Sequence, residues 1–317
     1  MKYKANCVTI LISFLLANLA NAGQNELPIL TGPYLGQKPP GTTPELFAPG
    51  IVSSCKEHSA AMFTPDGNEV WFGRLSPVAV YHMKVIDGKW TDPRVASFCD
   101  TSTRSLYPVL SHDGDRVFFS SDRPIDQRGE RLPRGDYHLW VVDRTASGWS
   151  EPRHLDDRVN FGRRQSCGSV APNGDLYFIS HIDQQSMNLF YSKTVGDTYS
   201  HPEELTELNS PSPDHCPFVA PDGSYLIFSS FRGGLGRSDL FISFRDENGC
   251  WSKAENMGPT VNSAFKDEYP YVTPDGKYLF FNSNRPSILN QGPIADGSGN
   301  IYWVDAQIIE VFRPQSE

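Results

Sequence analysis

The segment FTPDGNEVWF at residues 63–72 has the pattern of a β-hairpin, and close relatives of it recur along the chain. A short apolar strand comes first, the turn Pro65, Asp66 and Gly67 follows, and a second strand rich in valine and aromatic residues completes the unit. Proline presets φ near about −65°, aspartate hydrogen-bonds to its own backbone, and glycine takes the left-handed conformation that closes the turn. The segment therefore predicts a tight hairpin.

This hairpin occurs five times, and its turns begin at Pro65, His112, Pro172, Pro221 and Pro274. A third strand follows in every unit. Four units add a fourth strand that opens with an aromatic residue: Trp90, Trp149, Tyr199 and Trp251. A four-stranded antiparallel sheet cannot bury both faces alone, so repeated sheets pack on one another around an axis. The sequence therefore predicts an all-β chain, a five-bladed β-propeller with four-stranded antiparallel blades.

The last blade needs a strand from elsewhere, because the fifth unit lacks an aromatic-led fourth strand. We expect residues around 46–53 to supply it, so that an N-terminal strand completes the last blade and closes the ring. Such closure removes the open sheet edges that invite aggregation. Helix is nearly absent from the prediction, since nowhere do apolar residues keep a 3.6-residue spacing over three turns. A terminal turn at residues 308–312 is the exception.

The first 22 residues have the layout of a secretory signal peptide. Lys2 and Lys4 precede a short apolar run, and Ala20 and Ala22 occupy the small-residue positions of a cleavage site. The run is too short to span a bilayer, and no other stretch approaches the roughly 20 apolar residues required. We therefore expect a periplasmic or secreted protein without a transmembrane segment. The predicted division is a signal peptide at 1–22, an N-terminal lead with the ring-closing strand at 23–56, the propeller at 57–304 and a C-terminal tail at 305–317.

The chain is acidic, with a formal net charge of −9 at pH 7, and cleavage of the leader would remove two lysines. An acidic surface repels phosphate backbones and no basic run offsets it, so nucleic acid is excluded as a partner. Cys7 leaves with the leader, and five of the six cysteines remain. This odd number allows at most two disulfides in an oxidising compartment. Cys167 and Cys216 hold equivalent positions in neighbouring units and are expected to be unpaired.

The hairpin with its trailing S-x-R, followed by [DN]-L-[FY] and then W-[ST]-x-P, resembles the TolB-type propeller repeat, a WD40-like unit of exported bacterial proteins. The resemblance covers about residues 57–304. It implies the propeller fold. Proteins with these repeats include a periplasmic protein-binding scaffold, and related propellers include oligogalacturonate lyases. Fold alone does not choose among such functions.

Candidate site residues follow from the propeller geometry. The loops that enter the innermost strands and the loops between second and third strands lie on one face, around the mouth of the central channel. Long loops on one face of a rigid scaffold are where binding usually resides. The polar side chains that we expect near this mouth are His58, Gln165, Asp214, His215, Asp267 and Glu268, with Tyr107 beside them.

Three arginines, Arg123, Arg232 and Arg285, occupy equivalent positions at the end of the second strand. One interpretation makes them guanidinium groups that converge on a carboxylate ligand. The other is that this arginine belongs to the repeat and pairs with a neighbouring aspartate. The predicted ligand-binding residues are Arg123, Gln165, Asp214, Arg232, Asp267, Glu268 and Arg285.

The leading hypothesis for function is an exported propeller that binds a protein or an oligosaccharide through its loop-rich channel face. The alternative is a carbohydrate-active enzyme, a polysaccharide lyase or glycoside hydrolase acting on an acidic polysaccharide, in which His58, Tyr107 and His215 handle protons. No H-x-x-x-H or C-x-x-C spacing is present, so no metal site or cofactor is predicted. Ca²⁺ or another divalent ion held by carboxylates in the axial channel is the alternative.

Overall fold

The computed structural model describes residues 29–125, 132–133, 135–181, 186–290, 292 and 298–314. The predicted signal peptide at residues 1–22 lies outside these residues. The described chain is nearly all β and forms five antiparallel blade sheets arranged as a five-bladed propeller, with a separate two-stranded sheet (Thr194–Val195 and Thr198–Tyr199) beside the third blade, which confirms the predicted fold. In each sheet the innermost strand pairs with the second, the second with the third, and the third with the short outer strands.

The strands follow the repeat. Blade 1 contains β2 (Met62–Phe63), β3 (Glu69–Leu75), β4 (Val78–Ile86), β5 (Lys89–Trp90) and β6 (Arg94–Val95). Blade 2 contains β7 (Ser105–Leu110), β8 (Arg116–Ser121), β9 (His138–Thr145), β10 (Gly148–Trp149) and β11 (Arg153–His154). Blade 3 contains β12 (Gln165–Val170), β13 (Leu176–Ser180), β14 (Asn188–Ser192), β15 (Thr194–Val195), β16 (Thr198–Tyr199) and β17 (Glu203–Glu204).

Blade 4 contains β18 (Asp214–Val219), β19 (Tyr225–Ser230), β20 (Asp239–Phe244) and β21 (Glu255–Asn256). Blade 5 contains β22 (Asp267–Val272), β23 (Tyr278–Ser283), β24 (Asn300–Asp305) and, from the N-terminal side, β1 (Glu45–Leu46). Within the residues that the structure describes, the helical pieces are two 3₁₀ segments (Pro33–Gly36 and Ala306–Phe312) and the short helix α1 (Gly258–Val261). The second 3₁₀ segment includes residues 308–312, where the sequence predicts a terminal turn.

The ring closes as predicted. Strand β1 pairs antiparallel with β24, placing Glu45 opposite Trp303 and Leu46 opposite Tyr302. The next residue, Phe47, donates its backbone N–H to the carbonyl of Ile301 at 2.8 Å. The closing strand is therefore the outermost strand of blade 5. Only the start of the predicted range 46–53 is strand.

The outer part of the blades is more broken than a single fourth strand. In blade 1 the aromatic residue Trp90 pairs with the end of β4, whereas β6 pairs with β4 farther back, at Tyr81 and His82. A proline lies between the two short strands, and proline cannot donate to a sheet ladder. The aromatic rings pack between blades, as when Trp149 of blade 2 meets Trp71 of blade 1 at a ring separation of 5.3 Å.

The innermost strands of blades 2 to 5 each contain a β-bulge near their start, where the pairing register shifts. The bulge holds Tyr107, Cys216 and Tyr269 in the left-handed region, with φ of 53°, 52° and 58°. This conformation costs roughly 1–2 kcal/mol for a residue with a Cβ. Bulges and strained residues cluster at functional sites, so the start of the inner strands is a candidate location for one.

Within the described residues, no helix is long and apolar enough to cross a membrane.

Candidate functional site

Two faces of the ring differ in their connections. The lower face carries the five Pro-Asp-Gly-type turns, and the upper face carries the loops that enter the inner strands and the loops between second and third strands. On the upper face these loops are joined across blades by backbone hydrogen bonds. Tyr137 of blade 2 donates to Arg163 and accepts from Gln165, and Ser238 of blade 4 accepts from Asp267. The upper face is therefore a continuous, braced surface around the channel mouth.

Four rings, three from inner strands and His58 from the segment that enters the inner strand of blade 1, meet at this mouth. His58 packs edge-on against Tyr107 with 4.9 Å between ring centroids, and Tyr107 stacks on Tyr269 at 5.5 Å. His215 lies edge-on to Tyr269 at 6.3 Å. The rings come from blades 1, 2, 5 and 4, so the stack crosses the axis of the propeller. The structure therefore brings His58, Tyr107 and His215 together, and adds Tyr269.

His58 is buried, and neither ring nitrogen makes a hydrogen bond of good geometry within the described chain. The pKa of His58 is lowered to about 4, chiefly by burial. The positive charge of Arg104 also lowers this pKa, whereas the nearby backbone carbonyls of His58 and Arg74 raise it. Gly73 makes room for the ring, since a Cβ at this position would lie 2.4 Å from His58 Cε1. At neutral pH His58 is an uncharged imidazole with unused hydrogen-bonding capacity.

His215 stands in a polar group on the other side of the stack. Its Nδ1 lies 3.0 Å from Cys216 Sγ, and its Nε2 lies 3.3 Å from Ser238 Oγ and 3.7 Å from Glu268 Oε1. Lys266 Nζ is 3.3 Å from the same Glu268 oxygen. Burial lowers the pKa of His215 and raises the pKa of the Cys216 thiol well above its usual value. Both groups are therefore neutral in the free protein.

The phenols at the mouth are equally unreactive at neutral pH. Burial raises the pKa of Tyr107 to about 12 and raises that of Tyr269 well above its ordinary value. A phenol of raised pKa can donate a hydrogen bond but is a poor source of a general base. The stack is thus better suited to contacting a ligand than to removing its protons.

The arginines at the ends of the second strands form a repeated structural arrangement. Arg232 donates to Asp214 Oδ1 at 2.6 Å and to the Leu208 carbonyl, and its guanidinium Cζ lies 5.0 Å from each of two ring centroids, those of Phe228 and Phe241. The same type of contacts recurs in the other blades: Arg285 with Asp267 and the Val261 carbonyl, Arg123 with Ser105 and the Phe98 carbonyl, and Arg74 with Glu57 and the Val52 carbonyl.

These contacts join the end of one blade to the start of the next. Arg123, Arg232 and Arg285 lie in separate blades, and their donors are engaged within the fold. Asp214 and Asp267 are fully buried beside them, and Gln165 is buried with its amide donating to Ser180 Oγ at 3.1 Å. Glu268 alone of the predicted ligand-binding residues lies in the polar group around His215. A role for the set in ligand binding stays a prediction.

Sequence reasoning missed a set of cations on the upper face. The residue immediately before the inner strand is basic in three blades, Arg104, Arg164 and Lys266, and Arg163 precedes the second of these. The regular spacing from each turn was an available signal. The basic residue before the inner strand was overlooked because the arginine at the end of the second strand is the more obvious repeat.

Among the residues that the structure describes, no group of three or more histidine, cysteine, aspartate or glutamate side chains is placed to hold a metal ion. Cys55, Cys99, Cys216 and Cys250 are free thiols. An ion in the axial channel stays a prediction. At the lower end the axis contains an apolar cavity of about 40 Å³, lined by residues such as Phe63, Val109 and Tyr271, with room for no more than a few water molecules.

Comparison with known proteins finds similar folds among solved structures. No family model and no curated protein matches the chain. A solved structure assigned as TolB from Agrobacterium tumefaciens is similar to it, with 19% identity and a TM-score of 0.48 over 71% of this chain and 69% of that one. TolB from Acinetobacter baumannii is similar with 14% identity and a TM-score of 0.45 over 78% of this chain, which spans 56% of that protein.

An α-L-arabinofuranosidase from Lactobacillus brevis is also similar, with 13% identity and a TM-score of 0.52 over 80% of this chain and 92% of that one. At such identities the likeness concerns the fold alone. The chain has a five-bladed β-propeller fold, in agreement with the repeat that its sequence resembles. Fold alone does not decide function, which must be argued from the site.

Proposed function

We propose that this protein is an exported, TolB-like binding propeller whose upper face takes a protein or glycan ligand. Export is supported by the signal-peptide pattern of residues 1–22. The scaffold role is supported by an upper face braced by backbone hydrogen bonds and by the neutral, high-pKa groups at the channel mouth. The enzyme alternative is not favoured, because the predicted arginines are engaged within the fold while His58, Tyr107 and His215 form a separate stack.

One observation carries this proposal: apolar side chains are exposed on the upper loops of four blades. Ile125, Phe161, Leu235 and Ile288 are exposed by 43%, 46%, 48% and 85%. Single exposed apolar residues are ordinary, but their recurrence around one rim is the composition of a contact surface. They lie on the same face as the strained starts of the inner strands, where a rigid scaffold can present a ligand site.

The test compares the two faces. The mature protein is screened by surface plasmon resonance against a glycan panel and purified envelope proteins. Any ligand found is then tested on Phe161→Asp and Leu235→Asp, with the lower-face variants Ile86→Asp and Val195→Asp as matched controls. We expect at least a tenfold loss of affinity for the upper-face variants alone. Loss confined to the lower-face variants, or no ligand across both panels, would contradict the proposal.

A further inference from the structure

The basic residues of the upper rim meet around one tyrosine. Arg104 donates from its guanidinium to the hydroxyl of Tyr137, and its Cζ lies 5.4 Å from the centroid of that ring. Tyr137 and Arg164 are partners in a parallel β-bridge. Burial raises the pKa of Tyr137, and the charges of Arg104 and Arg164 lower it, as expected if both guanidinium groups lie near the phenol. Blades 2 and 3 thus bring two cations to the same part of the rim.

The charge at this part of the rim is not balanced. Arg163 and Arg164 have side chains exposed by 53% and 47%, and both face the buried carboxylate of Asp136, at 3.2 and 4.0 Å. In the described part of the chain, the Arg104 guanidinium has no carboxylate within salt-bridge distance. Three guanidinium groups therefore lie near two carboxylates of the described chain, Asp136 and Asp122, the second of which accepts the Arg104 backbone N–H at 2.7 Å, on a chain whose formal net charge is −9. Such a local excess of positive charge attracts anions.

A second observation points to a ligand at the same place. His58 lies close enough to Arg104 for the guanidinium charge to lower its pKa, and neither of its buried ring nitrogens makes a hydrogen bond of good geometry within the described chain, although the backbone carbonyls of His58 and Arg74 lie near the ring. A buried polar group without a partner costs roughly 1–3 kcal/mol. A ligand hydroxyl or carboxylate at the mouth would satisfy the imidazole.

The surroundings favour a sugar over a peptide. Phe161, which precedes Arg163 by two residues in the sequence, is exposed. Its ring packs against that of Phe190, with 5.3 Å between the centroids. A fixed aromatic face suits the apolar face of a sugar ring. A peptide that binds by strand addition needs a free strand edge, but here the backbone of Tyr137 is already hydrogen-bonded to Arg163 and Gln165.

We propose that Arg104 and Arg164 bind the carboxylate of an acidic oligosaccharide at the channel mouth, with Tyr137 positioning Arg104 and Phe161 packing on a sugar ring. Guanidinium groups suit this task because their N–H donors match the two oxygens of a carboxylate. This inference rests on the proposed function and specifies its ligand. It uses different arginines from those of the repeat, whose donors are engaged between blades.

The test uses a glucuronic-acid-containing oligosaccharide, its carboxyl-reduced neutral counterpart and an acidic hexapeptide, each titrated calorimetrically into the full mature protein. We expect the acidic sugar to bind at least tenfold more tightly than the neutral sugar and the peptide. Arg104→Gln and Arg164→Gln should each weaken it at least tenfold. Arg237→Gln, an exposed upper-face control, should leave its affinity unchanged.

Folding is checked by urea denaturation, and if Arg104→Gln is unfolded, the half-exposed Arg164→Gln decides. Unchanged affinity in the arginine variants, equal binding of the neutral sugar, or binding of the peptide alone would overturn the inference. A sugar that still binds these variants but is lost in Leu235→Asp would leave the proposed function standing. Absence of binding by all three probes would overturn the inference, and the wider ligand screen would then decide the proposed function separately.

Discussion

His58 shows how the fold fixes the protonation state of one residue at the channel mouth. Its ordinary pKa of 6.5 falls to about 4 in the folded protein, chiefly because it is buried. The unfolded chain therefore binds more protons than the folded chain between these two values. Stability from this residue is fully present above pH 6.5 and is lost as the pH falls towards 4.

We predict that His58→Gln removes part of this pH dependence. Between pH 7 and pH 5 the free energy of unfolding should fall by about 2 kcal/mol less in the variant than in the unmodified protein. Urea denaturation at the two pH values measures the difference. The exposed His201→Gln serves as the control. An equal loss of stability in both proteins would show that His58 is not buried as a neutral base.

Gly73 is predicted to be required by the same imidazole. Gly73→Ala would place a Cβ 2.4 Å from His58 Cε1 and 2.7 Å from Nε2, so the ring must move. Overpacking of this kind costs about 1–3 kcal/mol. The cost should shrink in a His58→Ala background, as a double-mutant cycle by urea denaturation would reveal.

The control is Gly41→Ala, where the added Cβ has no neighbour within 4 Å. Strictly additive costs for Gly73→Ala and His58→Ala would contradict the contact. The outcome also bears on the site, because the proposed ligand contact of His58 depends on the ring staying where Gly73 allows it.

At the scale of single elements, the sequence predicts the N-terminal strand that closes the ring but not its exact length. The missing fourth strand of the last unit required a donor, so ring closure by an N-terminal strand could be predicted from counting alone. The β-bulges of the inner strands could not be predicted from the sequence. They depend on left-handed residues such as Tyr107 and Tyr269, and non-glycine residues carry no sequence mark for that conformation.

Phe47→Ala is predicted to destabilise this closure by about 3–5 kcal/mol. Phe47 is fully buried, and its ring lies 5.0 Å from that of Phe280 and 5.2 Å from that of Trp303. The free energy of unfolding, measured in urea, should fall accordingly. The control is Glu45→Ala in the adjoining strand β1, where the side chain is exposed and its loss should have little effect. Similar values for both variants would mean that the strand is held by its backbone pairing rather than by packing.

For the molecule as a whole, the positions that repeat in every blade indicate the fold, whereas the positions that differ between blades bear on the site. The Pro-Asp-Gly turns specify the propeller. Of the arginines at the end of the second strand, Arg232 and Arg285 pair with the aspartates Asp214 and Asp267, whereas Arg123 contacts Ser105 instead. The cations Arg104 and Arg164 could have been found by counting from each turn. Their convergence on Tyr137 could not, because it depends on how the long loop of blade 2 meets the entry to blade 3.

Closure of the ring also requires that the first and last blades adhere at the centre. Tyr271 of blade 5 spans that junction: its hydroxyl donates to the Phe63 carbonyl at 2.9 Å and accepts from the Phe63 N–H at 3.1 Å. Both groups are buried, so loss of the hydroxyl leaves a backbone donor and acceptor without partners. Tyr271→Phe should therefore cost about 1–3 kcal/mol although only one atom is removed.

Urea denaturation measures this cost, with Tyr278→Phe, half-buried in the same blade, as the control. Because Phe63 also contacts Phe47, at a ring separation of 6.0 Å, Tyr271→Phe and Phe47→Ala should be coupled rather than additive. Coupling would show that the central contact of Tyr271 and the outer contact of Phe47 belong to one cooperative interface between the first and last blades. Independent effects would mean that blade 5 is attached to blade 1 by separate, local contacts, and that the ring does not unfold as a unit.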